Sequence, residues 1–350
     1  MFVKTIIGKS EMLIKNMSLY TLAHLLVDMV CMWVMFYIFL QNPYDGIKYA
    51  LVYNFFAFGF QPLAGIIADK LKNPSNIVAA SFLLLIAGVL VFPLNNMAAA
   101  VIIGIANTFF HVGGGIVIYN LNPETSKWQG VYISSGGIGL ALGAFLAQGG
   151  YVQGYMLCVV LAVLALVAFF TKTPEAKYKK QTAGVQKNTT FFIVFIVVVA
   201  AIAMRSLSGL EFSKLISGGT EKWILVLAVA VGKFIGGFSF ERFGIVKSIL
   251  IPLAAVLLLL GVQKESFIFI VLVSFFIQMS TAATLFILFT LMPKRPGFAF
   301  GINCLAIFTG FLLFLLFGVN FFSGFCAIAV FLLLIFFIHI KYRDSQKRLF

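Results

Sequence analysis

Apolar residues fill this chain in long stretches, and the interruptions are short clusters of Asn, Pro, Gly and charge. A helix that crosses a bilayer needs about 20 mostly apolar residues. The pattern predicts twelve such helices, over 17–40, 47–68, 76–93, 97–121, 129–150, 153–171, 190–209, 221–240, 245–262, 266–292, 297–318 and 321–340. Three turns are very short, around Pro93-Leu94-Asn95-Asn96, at Gly149-Gly150 and near Asn320. Connections that short make neighbouring helices antiparallel. The one long polar segment, 172–189, lies at the midpoint and divides the chain into 1–171 and 190–350, each predicted to be a six-helix bundle. The expected fold class is therefore an all-α membrane protein of two pseudo-symmetric halves.

Composition agrees and narrows the function classes. Hydrophobic residues make up 62% of the 350, charged residues only 10%, and the mean hydropathy is +1.07. Soluble domains carry about 25% charged residues, so a soluble enzyme or a nucleic-acid binder is excluded. The net charge of +14 reports orientation instead. Of the 25 Lys and Arg, 19 fall on the side of the termini and the linker, four on the other side, and two within spans. With the acids included, one face carries +13, the opposite face is neutral and the spans hold +1. The positive-inside rule then puts both termini and the linker in the cytoplasm of a multi-pass protein of the cytoplasmic (inner) membrane. Cys31, Cys158, Cys304 and Cys326 all sit in apolar runs without zinc or disulfide spacing and read as small core residues. The first apolar run lacks a small-residue cleavage site and flows into the second, so it reads as a span.

The two halves resemble one another. At an offset of 172, Gly65 falls on Gly237, Asp69 on Glu241 and Lys70 on Arg242. The fourth span leaves through Leu121-Asn122-Pro123 and the tenth through Leu291-Met292-Pro293, an offset of 170. Such a parallel repeat places a cavity between the halves at mid-membrane. Gly65-x-x-x-Asp69-Lys70 resembles the loop signature of the major facilitator superfamily, and Gly237-x-x-x-Glu241-Arg242 looks like its second-half copy. With twelve spans and a basic linker, the resemblance covers the whole chain and implies the major facilitator fold. Two departures stand out. Leu71-Lys72-Asn73-Pro74 replaces the usual continuation of the motif, and the glycine-rich fifth span lacks the Gly-Pro pair of the drug antiporters. The strings AHLLVD and FFHVGGG are loosely similar to the fosmidomycin-resistance branch. A carboxylate and a base at a helix end can bridge to a neighbouring helix in one state and release it in another. Gly65, Asp69, Lys70, Gly237, Glu241 and Arg242 are accordingly the candidate gating residues; the alternative is a pair of solvated loop charges.

Ionisable groups inside spans are costly and usually face a cavity or a partner. Asp28 lies near the middle of the first span, with His24 one helical turn earlier on the same face. Asn107 and His111 are likewise one turn apart in the fourth span, ahead of Gly113-Gly114-Gly115. His24, Asp28 and His111 form a candidate proton-coupling cluster, since carboxylate burial and histidine both bring titration toward neutral pH. The bland alternative is an intrahelical pair and a satisfied interhelical hydrogen bond. The second half offers Arg205 in the seventh span, suited to capturing an anionic group, or else snorkelling outward or pairing with Glu211. Lys233 in the eighth span either contacts substrate or pairs with a cytoplasmic acid. Asn54, Asn107, Gln278, Thr281 and Asn303 complete the candidate substrate-binding set, with Gln61, Ser134, Ser135 and Thr284 as further polar candidates; Thr281 is the repeat partner of His111. His339 reads as an interfacial residue.

The leading expectation is a secondary transporter of a small organic solute, coupled to protons, acting as a monomer among membrane lipids. It calls for no cofactor, resident metal or nucleic acid. An efflux antiporter, a divalent-metal transporter using His24, Asp28 and His111, and a lipid-transporting member of the same fold remain open. No HExxH motif or catalytic pair speaks for an intramembrane enzyme.

Overall fold

The computed structural model describes residues 2–71, 73–171, 173, 189–216, 218–259, 266–318 and 323–344. Nearly all of the linker expected at 172–189 lies outside the described residues, as does the turn at Asn320; the side chain of His339 is likewise outside them. Among the described residues there are helices and no strand. They are α1 (Phe2–Gln41), α2 (Gly46–Asn54), α3 (Gln61–Ala68), α4 (Pro74–Val91), α5 (Asn96–Leu121), α6 (Lys127–Gly149) and α7 (Gly154–Phe170). In the second half come α8 (Thr189–Lys214), α9 (Gly219–Leu259), α10 (Phe267–Gln278), α11 (Ser280–Leu291), α12 (Pro296–Phe317) and α13 (Ser323–Asp344). Nine described stretches are long and apolar enough to cross a membrane, and the shorter apolar helices Gly154–Phe170, Val246–Leu259 and Cys326–Phe337 occupy the remaining three expected positions.

Four spans depart from the pattern of one regular helix each. The second is α2 and α3 joined by a wide π turn, Phe55–Gly59, closed by Phe60 N–H on the Phe55 carbonyl at 2.8 Å. Pro62, at the start of α3, has no N–H to continue the regular ladder. The eighth and ninth spans run together as α9, broken where Gly244 adopts φ 73°, ψ 171°. That conformation is one glycine tolerates and side chains resist, and it falls between the two predicted spans. The tenth span is α10 and α11, interrupted at Met279. Helix starts carry the expected signals. Asn95 accepts from Ala98 N–H at 2.9 Å to cap α5, Ser266 accepts from Phe269 N–H at 3.2 Å to cap α10, and α4 and α12 begin with Pro74 and Pro296.

Two compact units emerge. One holds residues 1–124, 131–177 and 294–301; the other holds 125–130, 178–293 and 302–350. In the first, α5 packs against α1, α3 and α4, and α4 packs against α7. Tyr20, Phe82, Phe110 and Tyr132 are fully buried there. Leu83 and Leu90 of α4 and Val159, Val163 and Phe170 of α7 remain exposed, an apolar surface that suits lipid and not water. Gly139 and Gly143 of α6 lie so close to α1 that an added Cβ would meet the carbonyls of Leu25 and Met29. In the second unit, α9 packs against α10, α11 and α13, and α8 against α13 and α11, around Phe212, Phe289 and Phe331.

Candidate functional site

α5 is the most buried of the spans, and it brings Asn107 and His111 against His24 and Asp28 of α1. All four side chains are buried. The His24 Nε2 and His111 Nε2 atoms are 2.9 Å apart. Asp28 places Oδ2 3.3 Å from His24 Nε2 and Oδ1 3.7 Å from His111 Nε2. Asn107 donates to Asp28 Oδ1 at 3.1 Å. On the far side of each ring, His24 Nδ1 meets the Tyr132 carbonyl at 2.8 Å and His111 Nδ1 meets the Asn107 carbonyl at 2.9 Å. The Tyr132 ring stacks on His24 with centroids 4.5 Å apart. Gly136 closes the remaining side, where an added Cβ would meet Asp28 Oδ2 and His24 Nε2.

These contacts fix the hydrogen inventory. A carbonyl oxygen only accepts, so each Nδ1 carries a hydrogen. A neutral imidazole with Nδ1–H has a bare lone pair at Nε2. Two bare lone pairs at 2.9 Å repel, so the contact calls for one further proton between the rings. With such a proton the pair would carry one positive charge, which the Asp28 carboxylate is placed to offset. The three donor atoms lie within 4.8 Å of one another, so the set could instead take a divalent cation.

Arg205 of α8 is the counterpart in the second unit. It is buried, and its Nη1 donates to Ser280 Oγ and Thr284 Oγ1, each at 3.1 Å. Ser280 and Thr284 themselves donate to the Ile277 and Thr281 carbonyls, at 2.8 and 2.9 Å. Among the described residues no ion pair joins Arg205 to Glu211 or to any other acid. Thr281 Oγ1 donates to Gln278 Oε1 at 2.9 Å. A small recess beside the guanidinium is walled by Phe212, Leu225 and Ile277 and includes Ser274 and Gln278. Asn303 is buried with its Oδ1 unbonded. Lys233 is half-buried on α9. Asn54 donates back to the Ala50 carbonyl at 2.8 Å and Gln61 to the Ala57 carbonyl at 2.6 Å, so both amides serve the irregular second span.

The two turn motifs differ. Asp69 accepts from the first N–H groups of α12, Gly297 at 2.7 Å and Phe298 at 3.0 Å. It therefore caps a helix from a distant part of the chain. Burial pushes its carboxyl up, against the opposing pull of the Phe298 and Gly297 amides and Arg295. Gly65 permits this approach, because a Cβ there would overlap the Gly297 backbone. Gly237 likewise sits against Gly130 and accepts from Ser126 Oγ at 3.1 Å. Glu241 and Arg242, however, are exposed, as is Lys70. The glycine is used twice and the acid once.

Sequence reasoning missed Tyr132, Ser274 and Ser280. Tyr132 acts through its carbonyl and ring, which no motif marks. Ser274 and Ser280 are ordinary hydroxyls in an apolar run, and the break at Met279 decides which of them face Arg205.

No family model matches the chain, and no curated protein matches it in sequence. Solved structures do match. One is the E. coli fucose:proton symporter FucP, with a TM-score of 0.73 at 12% sequence identity, covering 94% of this chain and 98% of that one. Another is FucP described as a major facilitator superfamily transporter in the outward conformation, with a TM-score of 0.65 at 12% identity over 92% of this chain and 98% of that one. At that identity the likeness is one of fold. The narrower resemblance to the fosmidomycin-resistance branch gains no support from these structures.

Proposed function

The chain has the major facilitator fold, and on that premise we propose that it is a secondary transporter of a small organic solute, driven by protons and working by alternating access. The contact between His24 and His111 over the Asp28 carboxylate carries the coupling. With its proton the cluster is neutral and closed. Without it, two lone pairs oppose each other beside an uncompensated carboxylate, and α1 and α5 must part or admit water. Proton occupancy is thereby tied to the spacing of two helices, which is what coupling requires. A proton symporter among the structures of like fold supports the choice of ion.

The Asp69 cap on α12 is the proposed gate, since a lost cap frees the start of that helix. Both termini lie in the cytoplasm on this reading, supported by the charge asymmetry, and the transporter acts as a monomer among lipids. The coupling is tested in proteoliposomes with a solute found by thermal-shift screening. Asp28→Asn abolishes uptake driven by a proton gradient while exchange at equal concentrations continues. Gradient-driven uptake unchanged from the native protein overturns the coupling role. A divalent-metal cargo is the second reading, favoured by the three clustered donors. Zn2+ binding that disappears in His111→Asn, without any organic solute emerging from the screen, selects it.

A further inference from the structure

Arg205 poses a question that the proton cluster does not. Its charge is buried, and no acid among the described residues offsets it. Ser280 and Thr284 give their hydrogens to helix carbonyls and turn their oxygens to the guanidinium, but neutral hydroxyls orient its charge without offsetting it. Among the described residues the hydrogen bonds of the guanidinium run from Nη1, to Ser280 and Thr284. An unpaired buried cation is strongly unfavourable, and a bound anion removes the cost.

The surroundings specify that anion further. Ser274 is 5% exposed, borders the recess, and among the described residues its hydroxyl has no hydrogen-bond partner. Gln278 also borders it. Its carbonyl end is taken by Thr281, which leaves the amide NH2 as the free end. Guanidinium and amide are available as donors, the Ser274 hydroxyl can donate as well as accept, and no carboxylate lines the recess. The remaining wall is apolar, from Phe212, Leu225 and Ile277. Glu211 does not line the recess. Donors at one end and hydrocarbon around them match an oxyanion head on an apolar body.

We propose that this recess binds the head group of the transported solute, and that the solute is a small carboxylate with an apolar body. Arg205 supplies the counter-charge and Ser274 and Gln278 lie beside it; the recess, about 20 Å³, has room for the head group alone, so the walls formed by Phe212, Leu225 and Ile277 must part to take the hydrocarbon. The proposal rests on the reading of the chain as a solute transporter and names its substrate class.

The test is equilibrium binding to the purified full-length protein in detergent, at fixed pH and ionic strength, with no gradient. The probes are butyrate, hexanoate and benzoate, their neutral amides, and inorganic phosphate. The carboxylates raise the melting temperature in a saturable way, and the amides do not. Arg205→Gln weakens carboxylate binding about tenfold or more, the range for a lost charge-assisted bond. Ser274→Ala weakens it several-fold. A Cβ on Gly209, which also borders the recess, would meet nothing within 4 Å, so Gly209→Leu folds and obstructs the body of the ligand. Equal binding of acids and amides, no binding of any carboxylate, or binding unaltered in Gly209→Leu and Ser274→Ala overturns the assignment. Binding of phosphate alone also overturns it, by removing the apolar body. None of these outcomes involves the proton gradient. Intact carboxylate binding with gradient-independent uptake instead defeats the coupling proposal alone.

Discussion

Asp28 and Arg205 are both buried ionisable groups inside apolar spans, 6% and 4% exposed, yet their surroundings differ in kind. Asp28 is enclosed by groups that can answer its charge: the two imidazoles of His24 and His111 and the Asn107 amide. Arg205 is held by two neutral hydroxyls and faces a recess with unused donors. The first site is complete without any solute. The second is incomplete as it stands. A closed, self-compensated cluster suits a coupling ion as small as a proton, whereas an uncompensated cation beside a small recess suits the head group of an anion. Burial alone does not separate the two proposed roles; the surroundings of each charge are what distinguish them.

The sharpest way to break this contrast is to remove each charge in turn. Asp28→Asn leaves the shared proton without its counter-charge and lowers stability by about 3–5 kcal/mol. Arg205→Met removes a charge that has no partner, so thermal unfolding of the solute-free protein in detergent stays level or moves to higher temperature. Equal losses in both variants would erase the distinction.

A matched glycine pair sharpens it at smaller scale. Gly136→Ala drives a methyl into Asp28 and His24 and costs about 1–3 kcal/mol. Gly209→Ala enters open space on a helix and gains about 0.5–1 kcal/mol from the alanine backbone preference. Thermal unfolding reads both, and the two shifts should have opposite sign. The smallest effects belong to the helix caps. Asn95→Ala and Ser266→Ala each cost about 1 kcal/mol, while carboxylate binding and gradient-driven uptake stay as in the native protein. A cap that altered either activity would show that site geometry depends on the helix ends.

Much of the fold was legible because apolar run length is a direct physical requirement of crossing a bilayer. The break at Gly244 was legible for a related reason, since it falls where the predicted spans part. The fusion of those spans into one element was not, because a single glycine conformation carries the turn. In the site, His24–Asp28 and Asn107–His111 could be read from four-residue spacing, and their meeting followed from both lying at mid-span. The donor balance around Arg205 was hidden. Gln278, Thr281 and Thr284 drew attention, but Ser280 supports the guanidinium directly and Ser274 completes the recess. That assignment depends on how the helix restarts after Met279, which no spacing rule encodes. Glu241 shows the converse: a repeat can copy a residue type without copying its contact.

The glycines of α6 have one more consequence. Where Gly139 and Gly143 lie against the carbonyls of α1, neither helix inserts a side chain into the other. At these two glycines the contact is backbone against backbone, whereas one turn away the His24 ring is held by the Tyr132 ring and carbonyl. On the proposed coupling, the latch would be a proton between His24 and His111, a single particle of unit charge deciding where a whole helix rests.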